Sequence, residues 1–390
     1  MKYWKITLKP LDAYFLGGER NVFYQNNPVQ RSERRPYFIR SNHMISQSAA
    51  FGVLRYLGIH SPNANYRLSS EDIKNIGDRS FSITRNQQGY GRICSISPVF
   101  LCDQEGKRYV AAPCNRVKAD FECCYDKEHP KMPFVSFEAF RRVITMDGTR
   151  YLPSEYNEKR ACDPSDLLCL ETGDVISSPF STQIRTGINR ESQKLKQNGN
   201  LSDDNPSGFF KKEYIVLDRD YSFMFYAETE DGFFIHRDTV VYIGQGRTPF
   251  SAHAEDAQKK WDIDLPVCCR PSVGAKWESA TVISDMFFDG HIKELKRLCS
   301  LMISSIRDHR CMETNYSAEN AGNRYSKKEA LKLIPAGSVF LFMGDDNGKE
   351  PKDQLCHFRN TLIKTRYWDS ALRAGFNYVL YSDIQQNGGQ

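Results

Sequence analysis

The sequence predicts an α+β fold, and three patterns carry this prediction. Residues 3–9 alternate polar and apolar side chains, residues 46–58 have the apolar spacing of an amphipathic helix, and residues 214–381 alternate strand patterns with helix patterns. Alternation with period two is typical of a half-buried strand, and apolar residues at i, i+3, i+4 and i+7 are typical of a helix. Because 390 residues exceed one ordinary core, we expect two domains.

The composition is that of a globular protein, with 40% hydrophobic and 26% charged residues. This balance excludes an intrinsically disordered chain. The net charge is only +5, from 53 basic and 48 acidic residues, so a nucleic-acid surface would need a local concentration of positive charge. The N-terminus lacks a signal-peptide core, and no apolar run approaches the roughly 20 residues that span a bilayer. We therefore expect a cytoplasmic protein.

The 12 cysteines do not have the spacing of a disulfide framework. Those at 123–124 and 268–269 are adjacent in the chain, which favours free thiols in a reducing compartment. Four residues, Cys114, Cys123, Cys124 and His129, could be drawn as a zinc site, but no Cys-x-x-Cys spacing supports it. We expect neither a metal nor a cofactor.

The first predicted element is a strand in which Trp4, Ile6 and Leu8 share one face and which ends at Pro10. The segment that follows carries Gly17, Gly18 and Arg20. A glycine pair lets the backbone approach a ligand closely, and the arginine could then reach a phosphate. The alternative is a simple turn, for which such pairs are more often used.

The central predicted element is the helix, which Ser46 can cap and which Gly58 can end. Its N-terminus leaves backbone N–H groups unpaired, and Gln47 and Ser48 add side-chain donors, so a phosphate would bind well there. Residues 30–40 hold four arginines and one glutamate just upstream. A solvated loop before an ordinary core helix is the alternative interpretation.

The middle of the chain changes character. Two strand patterns flank a turn that ends at Gly106 and predict a hairpin. Residues 126–205 then read as an insertion or linker, which contains a basic glycine loop at 183–192 and a polar run at 191–205. We therefore predict an N-terminal domain at 1–125, an insertion at 126–205 and a C-terminal domain at 206–390.

The last part of the chain predicts a split βαβ, ferredoxin-like sheet, because helical spacing at 292–307 and 354–373 lies between apolar strand patterns. One of its strands, at 240–243, runs into a loop formed by Gly244, Gln245, Gly246 and Arg247. This loop is not a dinucleotide fingerprint, since the third glycine and the following helix are missing. No P-loop, zinc-protease or serine-hydrolase motif occurs in the sequence.

Several stretches, taken in order, resemble one family. That family is the third subunit of the Cmr complex, the type III-B CRISPR effector, within the RAMP superfamily. The resemblance is carried by residues 8–12, 17–20, 48–55, 186–190, 242–247 and 334–340. It implies two RRM-like ferredoxin folds with inserted loops. The sequence departs from the family near its end, where the usual glycine-rich loop is reduced to residues 373–377.

The resemblance also implies a function in antiviral defence. The subunit would bind the 5′ handle of the CRISPR RNA in a ribonucleoprotein, beside the large polymerase-like subunit and the backbone RAMP subunit, without cutting RNA. Single-stranded RNA is held by basic loops along its backbone and by bases placed against a sheet. The predicted RNA-binding residues are Gly17, Gly18, Arg20, Arg40, Asn42, His43, Gln47, Ser48, Arg185, Gly187, Ile188, Asn189, Arg190, Gly244, Gln245, Gly246 and Arg247.

Three alternatives remain open from the sequence. The loop arginines could be scattered surface charges. The chain could instead be a metal-independent RAMP endoribonuclease that processes precursor CRISPR RNA with His43, because an imidazole titrates in the useful range and relatives use such a histidine. A general RNA-binding protein with two RRMs is the third, but the aromatic RNP signature is missing.

Overall fold

The computed structural model is a mixed α+β fold, in which antiparallel sheets predominate and helices are few. It describes residues 1–17, 20–21, 37–60, 68–83, 89–114, 140–145, 148–153, 166–189, 208–244, 247–263, 277–290, 292–303, 307–309, 312–314, 325–327, 331–343 and 350–382.

The helices of this part of the chain are α1 (Gln47–Leu57), α2 (Ser70–Ile76), α3 (Ile292–Leu298), α4 (Pro351–Ile363) and α5 (Trp368–Arg373). The strands up to residue 217 are β1 (Lys2–Pro10), β2 (Arg20–Asn21), β3 (Tyr37–Ile39), β4 (Ile93–Ile96), β5 (Phe100–Cys102), β6 (Arg108–Ala111), β7 (Phe140–Thr145), β8 (Gly148–Pro153), β9 (Leu167–Cys169), β10 (Val175–Ile176), β11 (Phe180–Asn189) and β12 (Gly208–Leu217). The later strands are β13 (Ser222–Thr229), β14 (Asp238–Ile243), β15 (Thr248–Ala257), β16 (Trp277–Val282), β17 (Met286–Phe287), β18 (Leu301–Ile303), β19 (Arg307–His309), β20 (Met312–Thr314), β21 (Tyr325–Lys327), β22 (Leu331–Ile334), β23 (Val339–Met343) and β24 (Val379–Tyr381).

The largest sheet has nine strands in the order β10-β9-β6-β5-β13-β1-β15-β14, and β4 also pairs with β13. Strand β1 lies inside this sheet and pairs antiparallel with both β13 and β15. A smaller sheet has the order β18-β23-β16-β24, again with antiparallel pairs. Four strands of each sheet share one arrangement. The first of them along the chain, β1 or β16, lies between the third, β13 or β23, and the fourth, β15 or β24.

The predicted N-terminal strand is confirmed as β1. Trp4, Ile6 and Leu8 are all buried in the largest hydrophobic cluster. Ile6 lies opposite Phe225 on one side and Ala254 on the other. The alternation works because successive side chains of a strand point to opposite faces, so one face meets the core.

The predicted central helix is confirmed as α1, with both of its caps. The Ala49 backbone N–H donates to Ser46 Oγ at 3.3 Å, and the Gly58 N–H donates to the Leu54 carbonyl at 3.1 Å. Arg55 on this helix is only 4% exposed. Its guanidinium donates to the carbonyls of Ile76 and Gly77, so the arginine secures the end of α2.

The hairpin predicted around Gly106 is also confirmed, as β5 paired with β6. The predicted long helices are shorter in the structure. The stretch 292–307 forms α3 and then the strands β18 and β19, and the stretch 354–373 is divided between α4 and α5. Strand pairing with β22 and β23 competes with helix extension at 301–309.

The predicted boundaries at 125 and 205 are crossed by one sheet. The nine-stranded sheet combines β1, β9 and β13, which come from the three segments that the sequence separated. Leu168 of β9 is fully buried, so this part of the predicted insertion belongs to the core. Strand β9 has only three residues, too few for a period to be recognised. The polar run at 191–205 lies outside the described residues.

A third hydrophobic cluster lies between the two sheets. It joins Met224 of the first sheet to Ile283 and Leu380 of the second. Trp261 Nε1 donates to the Tyr378 hydroxyl at 3.2 Å across this contact. Burial raises the pKa of Tyr378 to about 12. No helix among the described residues has the length and hydrophobicity that a membrane crossing requires.

Candidate nucleic-acid interface

The segment at residues 12–17, which follows β1, contacts the loop before α1. The Leu16 N–H donates to Ser41 Oγ at 2.9 Å, and Asn42 Nδ2 donates to the Gly17 carbonyl at 2.7 Å. The Tyr14 hydroxyl donates to the His43 carbonyl at 2.6 Å. The predicted glycine segment and the predicted polar loop are thus held side by side.

The same segment contacts the turn between β14 and β15. The Phe15 N–H donates to Thr248 Oγ1 at 3.2 Å. Gly244 has a φ of +77°, and a Cβ there would lie 2.6 Å from the Phe15 carbonyl oxygen. Only glycine permits this backbone approach without a shift. Arg247, exposed and with a φ of +48°, closes the turn through its N–H to the Gly244 carbonyl.

A third contact joins the segment to β11 and β12. The Tyr14 N–H donates to the Ile215 carbonyl at 2.8 Å. Lys212 Nζ lies 5.3 Å from the centre of the Phe15 ring, which lies 5.6 Å from the Tyr214 ring. The guanidinium of Arg185 lies 4.5 Å from the Tyr214 ring centre on the next strand. Two cations and two aromatic rings therefore form one connected group.

Asp12 provides the carboxylate of this group, at 3.5 Å from Arg185 Nη2. Both side chains are largely exposed, so the pair contributes little to stability. A phosphate could therefore replace Asp12 as the partner of Arg185 at a small cost in free energy. Arg185 also donates to Gln183 Oε1 at 2.8 Å, which fixes its orientation on β11.

Arg20 and Arg40 reach the same area through a second sheet. Its order is β11-β12-β3-β2, with Arg20 of β2 opposite Ile39 of β3. Strand β3 runs parallel to β12 and ends beside Lys212. Arg40, which follows β3 directly, is exposed. The backbone pairing thus brings both arginine positions to the sheet that carries Arg185.

The structure differs from the prediction that these arginines lie in loops. Arg20 is in β2, and the stretch from Arg185 through Gly187 to Ile188 and Asn189 is in β11. Residues 181–186 are all exposed, so this strand takes its stability from pairing with β12. β-Branched residues at alternate positions 182, 184, 186 and 188 are typical of a strand, and could have predicted it.

The structure also differs from the prediction that Gln47 offers a donor to a phosphate. Its side chain is 7% exposed, and Gln47 Oε1 accepts no hydrogen bond within the described residues. A Cβ on Gly375 would lie 2.6 Å from that oxygen, because the first turn of α1 packs beneath the 374–377 segment. Ser48 is half-buried, with its hydroxyl 3.2 Å from Ser46 Oγ.

His43 is held at two points. Its carbonyl accepts from Tyr14, and its ring stacks on Phe180 with centroids 5.1 Å apart and planes 8° apart. Burial raises the pKa of the Tyr14 hydroxyl well above its ordinary value, so this group stays protonated and donates at neutral pH. Sequence reasoning missed Tyr14, although an aromatic pair inside a predicted loop is a signal that it packs inward.

The site is therefore an assembly around residues 12–17. Predicted residues brought to it are Gly17, Arg20, Arg40, Asn42, His43, Arg185, Gly244 and Arg247. Contributors that sequence reasoning missed are Tyr14, Phe15, Lys212, Tyr214 and Thr248. Predicted residues outside the described part of the chain are Gly18, Arg190, Gln245 and Gly246.

The described residues contain no group of three or more His, Cys, Asp or Glu side chains that could hold a metal ion. Cys114 is half-buried, and burial raises the pKa of its thiol. Cys123, Cys124 and His129, the other members of the zinc arrangement drawn from the sequence, lie outside the described residues.

Among solved structures, the chain matches one chain of the Type III-B Cmr-beta complex bound to cognate target RNA. The identity is 9%, the match covers 96% of both chains, and the TM-score is 0.47. A chain of the same complex with target RNA and AMPPnP, in state 1, has 10% identity, coverage of 96% and 95%, and a TM-score of 0.49. A chain of a Type IV-B CRISPR complex has 11% identity and a TM-score of 0.18 over 70% of this chain and 96% of that one.

The sequence matches no family profile and no curated protein.

Proposed function

We propose that this chain is a non-catalytic, cytoplasmic subunit of a type III-B CRISPR effector complex. It binds the 5′ handle of the CRISPR RNA and joins the large polymerase-like subunit to the backbone RAMP subunit. The observation that carries the proposal is the meeting of four distant segments at residues 12–17. Each of these segments carries a residue that the sequence predicts to bind RNA, namely Gly17, Asn42, Gly244 and Arg185.

Electrostatics support an RNA ligand. The net charge of +5 is too small to attract RNA to the whole surface, so the charge must be concentrated. At the site, Arg40, Arg185 and Arg247 are exposed, and the Asp12 carboxylate lies 3.5 Å from Arg185. Single-stranded RNA is bound by such basic strips combined with aromatic side chains.

The strand orders support two ferredoxin-like RAMP domains. In β16, α3, β18, β23, α4 and β24, the order of elements and the spatial order of strands are those of a split βαβ fold. The first unit repeats that order with β1, α1, β5, β13 and β15, but a hairpin strand, β14, replaces its second helix. Ala371 and Phe376 from the second unit pack against the first core.

The first experiment is a binding titration of labelled repeat RNA with the purified full chain across a salt series. We expect binding whose logarithm falls linearly with the logarithm of salt concentration, as counterion release requires. Arg247→Ala and Arg185→Ala should each lower the slope by about 0.7. Lack of binding by the wild-type chain at low salt would count against an RNA-handling role. The genes beside this one provide an independent check, since a CRISPR array with other RAMP genes is expected.

The proposal includes the expectation that the chain does not cleave RNA. His43 is stacked on Phe180 and held at its carbonyl, which favours a structural role or an RNA contact over proton transfer. Labelled repeat RNA incubated with the chain should stay intact with or without metal. Site-specific cutting that disappears in His43→Ala would instead support the RAMP endoribonuclease.

A further inference from the structure

The outer face of the nine-stranded sheet divides into two halves. Near β13, this face is covered by Ile283 and Leu380 of the second unit and by Trp261, on which Tyr226 stacks. Towards the edge strand β14, the outward positions of β1, β15 and β14 are half-buried or exposed. Val241 and Ile243 of β14 point the other way, into the core that α1 also covers. Val240 and Tyr242, which alternate with them along the strand, therefore face outwards.

Three large apolar side chains, Leu11, Val240 and Tyr242, are exposed at this end of the sheet. Tyr242 is 66% exposed and Val240 is 42% exposed, both on β14. Tyr242 lies opposite Pro249 of β15. Leu11, at 56% exposure, donates its N–H to the Pro249 carbonyl at 3.1 Å and so continues the same row. Neighbouring strands are about 4.8 Å apart, so Leu11, Pro249 and Tyr242 form a continuous apolar strip.

The charges on the face are divided in the same way. At its far end the ionisable groups have partners, with Lys5 Nζ at 2.9 Å from Glu255 and His253 Nδ1 at 2.6 Å from Asp238. Beside the apolar strip lie Lys9, opposite Ser251, and Arg247, in the turn after β14. Neither has an ion pair within the described part of the chain.

We infer that Tyr242 is a stacking platform for an unpaired nucleobase, with Arg247 and Lys9 contacting the flanking phosphates. This inference rests on the proposed function. It adds a contact to a nucleobase to a site whose other proposed contacts are with RNA phosphates. Sequence-tolerant single-strand binding uses solvent-facing aromatic rings together with cations, and here Tyr242 shares this end of the sheet with Lys9 and Arg247, which have no ion pair among the described residues. Tyr242 is one residue from the buried Ile243 and two from Gly244, whose turn is fixed against Phe15.

The charge pattern favours RNA over a protein partner at this strip. A protein partner would have to supply two carboxylates to Lys9 and Arg247 beside an apolar contact, whereas an RNA strand carries phosphates and bases at every step. The experiment therefore has to distinguish a base contact from a protein contact.

The test compares two probes on the purified full chain: a fluorescein-labelled oligouridylate and an abasic ribose–phosphate oligomer of equal length. Tyr242→Ala should weaken oligouridylate binding about tenfold, within the range for losing one stacking side chain. Its salt slope should stay unchanged, and its affinity for the abasic oligomer should equal that of the wild type. Tyr242→Phe should restore oligouridylate binding, since the ring and not the hydroxyl stacks. Tyr56→Ala is the matched control, because this tyrosine is 47% exposed on α1.

The outcomes separate the inference from the proposed function. If the arginine variants change the salt slope but Tyr242→Ala binds oligouridylate as the wild type does, the stacking inference is refuted and RNA binding stands. If Tyr242→Ala weakens both probes equally, the ring supports the turn and does not stack on a base. If it leaves RNA binding intact but lowers co-purification with a co-expressed subunit, the strip is a protein contact. If the wild-type chain binds neither probe, both proposals fail together.

Discussion

Gly244→Ala is the substitution that tests the geometry of the site most directly. It removes no charge, yet it should separate the β14–β15 turn from residues 12–17. A Cβ at this position would lie 2.6 Å from the Phe15 carbonyl oxygen and 3.2 Å from the Leu16 Cα. Both are backbone atoms, so no side chain can rotate away to relieve the clash.

The magnitude follows from two contributions. A non-glycine residue at a φ of +77° costs about 1–2 kcal/mol, as for any left-handed backbone. Overpacking against fixed atoms costs about a further 1–3 kcal/mol. Gly244→Ala should therefore lower the free energy of unfolding by about 2–5 kcal/mol and should also weaken RNA binding.

Gly106→Ala provides the matched control. Gly106 has a φ of +85°, but a Cβ there would meet no heavy atom within 4 Å. It should lose only the backbone contribution of about 1–2 kcal/mol and bind RNA normally. Urea unfolding followed by circular dichroism measures the stability, and the titration with labelled RNA measures binding. Equal losses of stability in the two variants, or unchanged RNA affinity in Gly244→Ala, would refute the role assigned to this backbone contact.

Further predictions concern a buried arginine, a buried carboxylate and an exposed arginine. Arg55→Met should lower the free energy of unfolding by about 2–5 kcal/mol in urea titrations, because it leaves two carbonyls at the end of α2 without their donor; a change as small as that of Tyr56→Ala would contradict this role. Burial raises the pKa of Asp72, but hydrogen bonds from His60 and Ser69 outweigh it, and the net pKa is lowered. Its stabilising contribution is therefore complete above the ordinary value of about 3.9 and is lost as the pH falls through the lower folded pKa. The stability difference between the wild type and Asp72→Asn should shrink as the pH falls below that value, and a difference that grows there would reverse the sign. Arg247→Ala should weaken RNA binding and lower its salt slope without changing sequence preference, and a loss restricted to one RNA sequence would indicate a base contact instead.

Much of the local structure could be predicted because its causes lie within a few residues. The apolar alternation of β1, the serine cap of α1 and the turn at Gly106 each depend on neighbours in the chain. Strand β11 was not predicted, because glycine and arginine at 185–187 suggested a loop and its main support is not local. Its ten residues are held by a partner strand whose position the sequence does not reveal.

The candidate site shows the same limit. Glycine and arginine content selected segments that the structure brings together at residues 12–17; the selection was made because close backbone approach and phosphate contact need those residue types. It did not distinguish Gln47, which is buried beneath residue 375, from Asn42, which binds the Gly17 carbonyl. Burial depends on which distant segment covers a side chain, and local composition does not predict that segment.

The sequence by itself determined the α+β class, the first strand and the capped central helix, and it predicted which segments contact RNA. Tertiary structure alone decided that these segments meet at residues 12–17, that one sheet crosses both predicted boundaries, and that Tyr242 faces outwards. The physical reason is separation along the chain: the hydrogen bond from the Phe15 N–H to Thr248 joins residues 233 positions apart. Periodicity and capping act within a turn or a strand, whereas such contacts form only when the sheet brings its strands together.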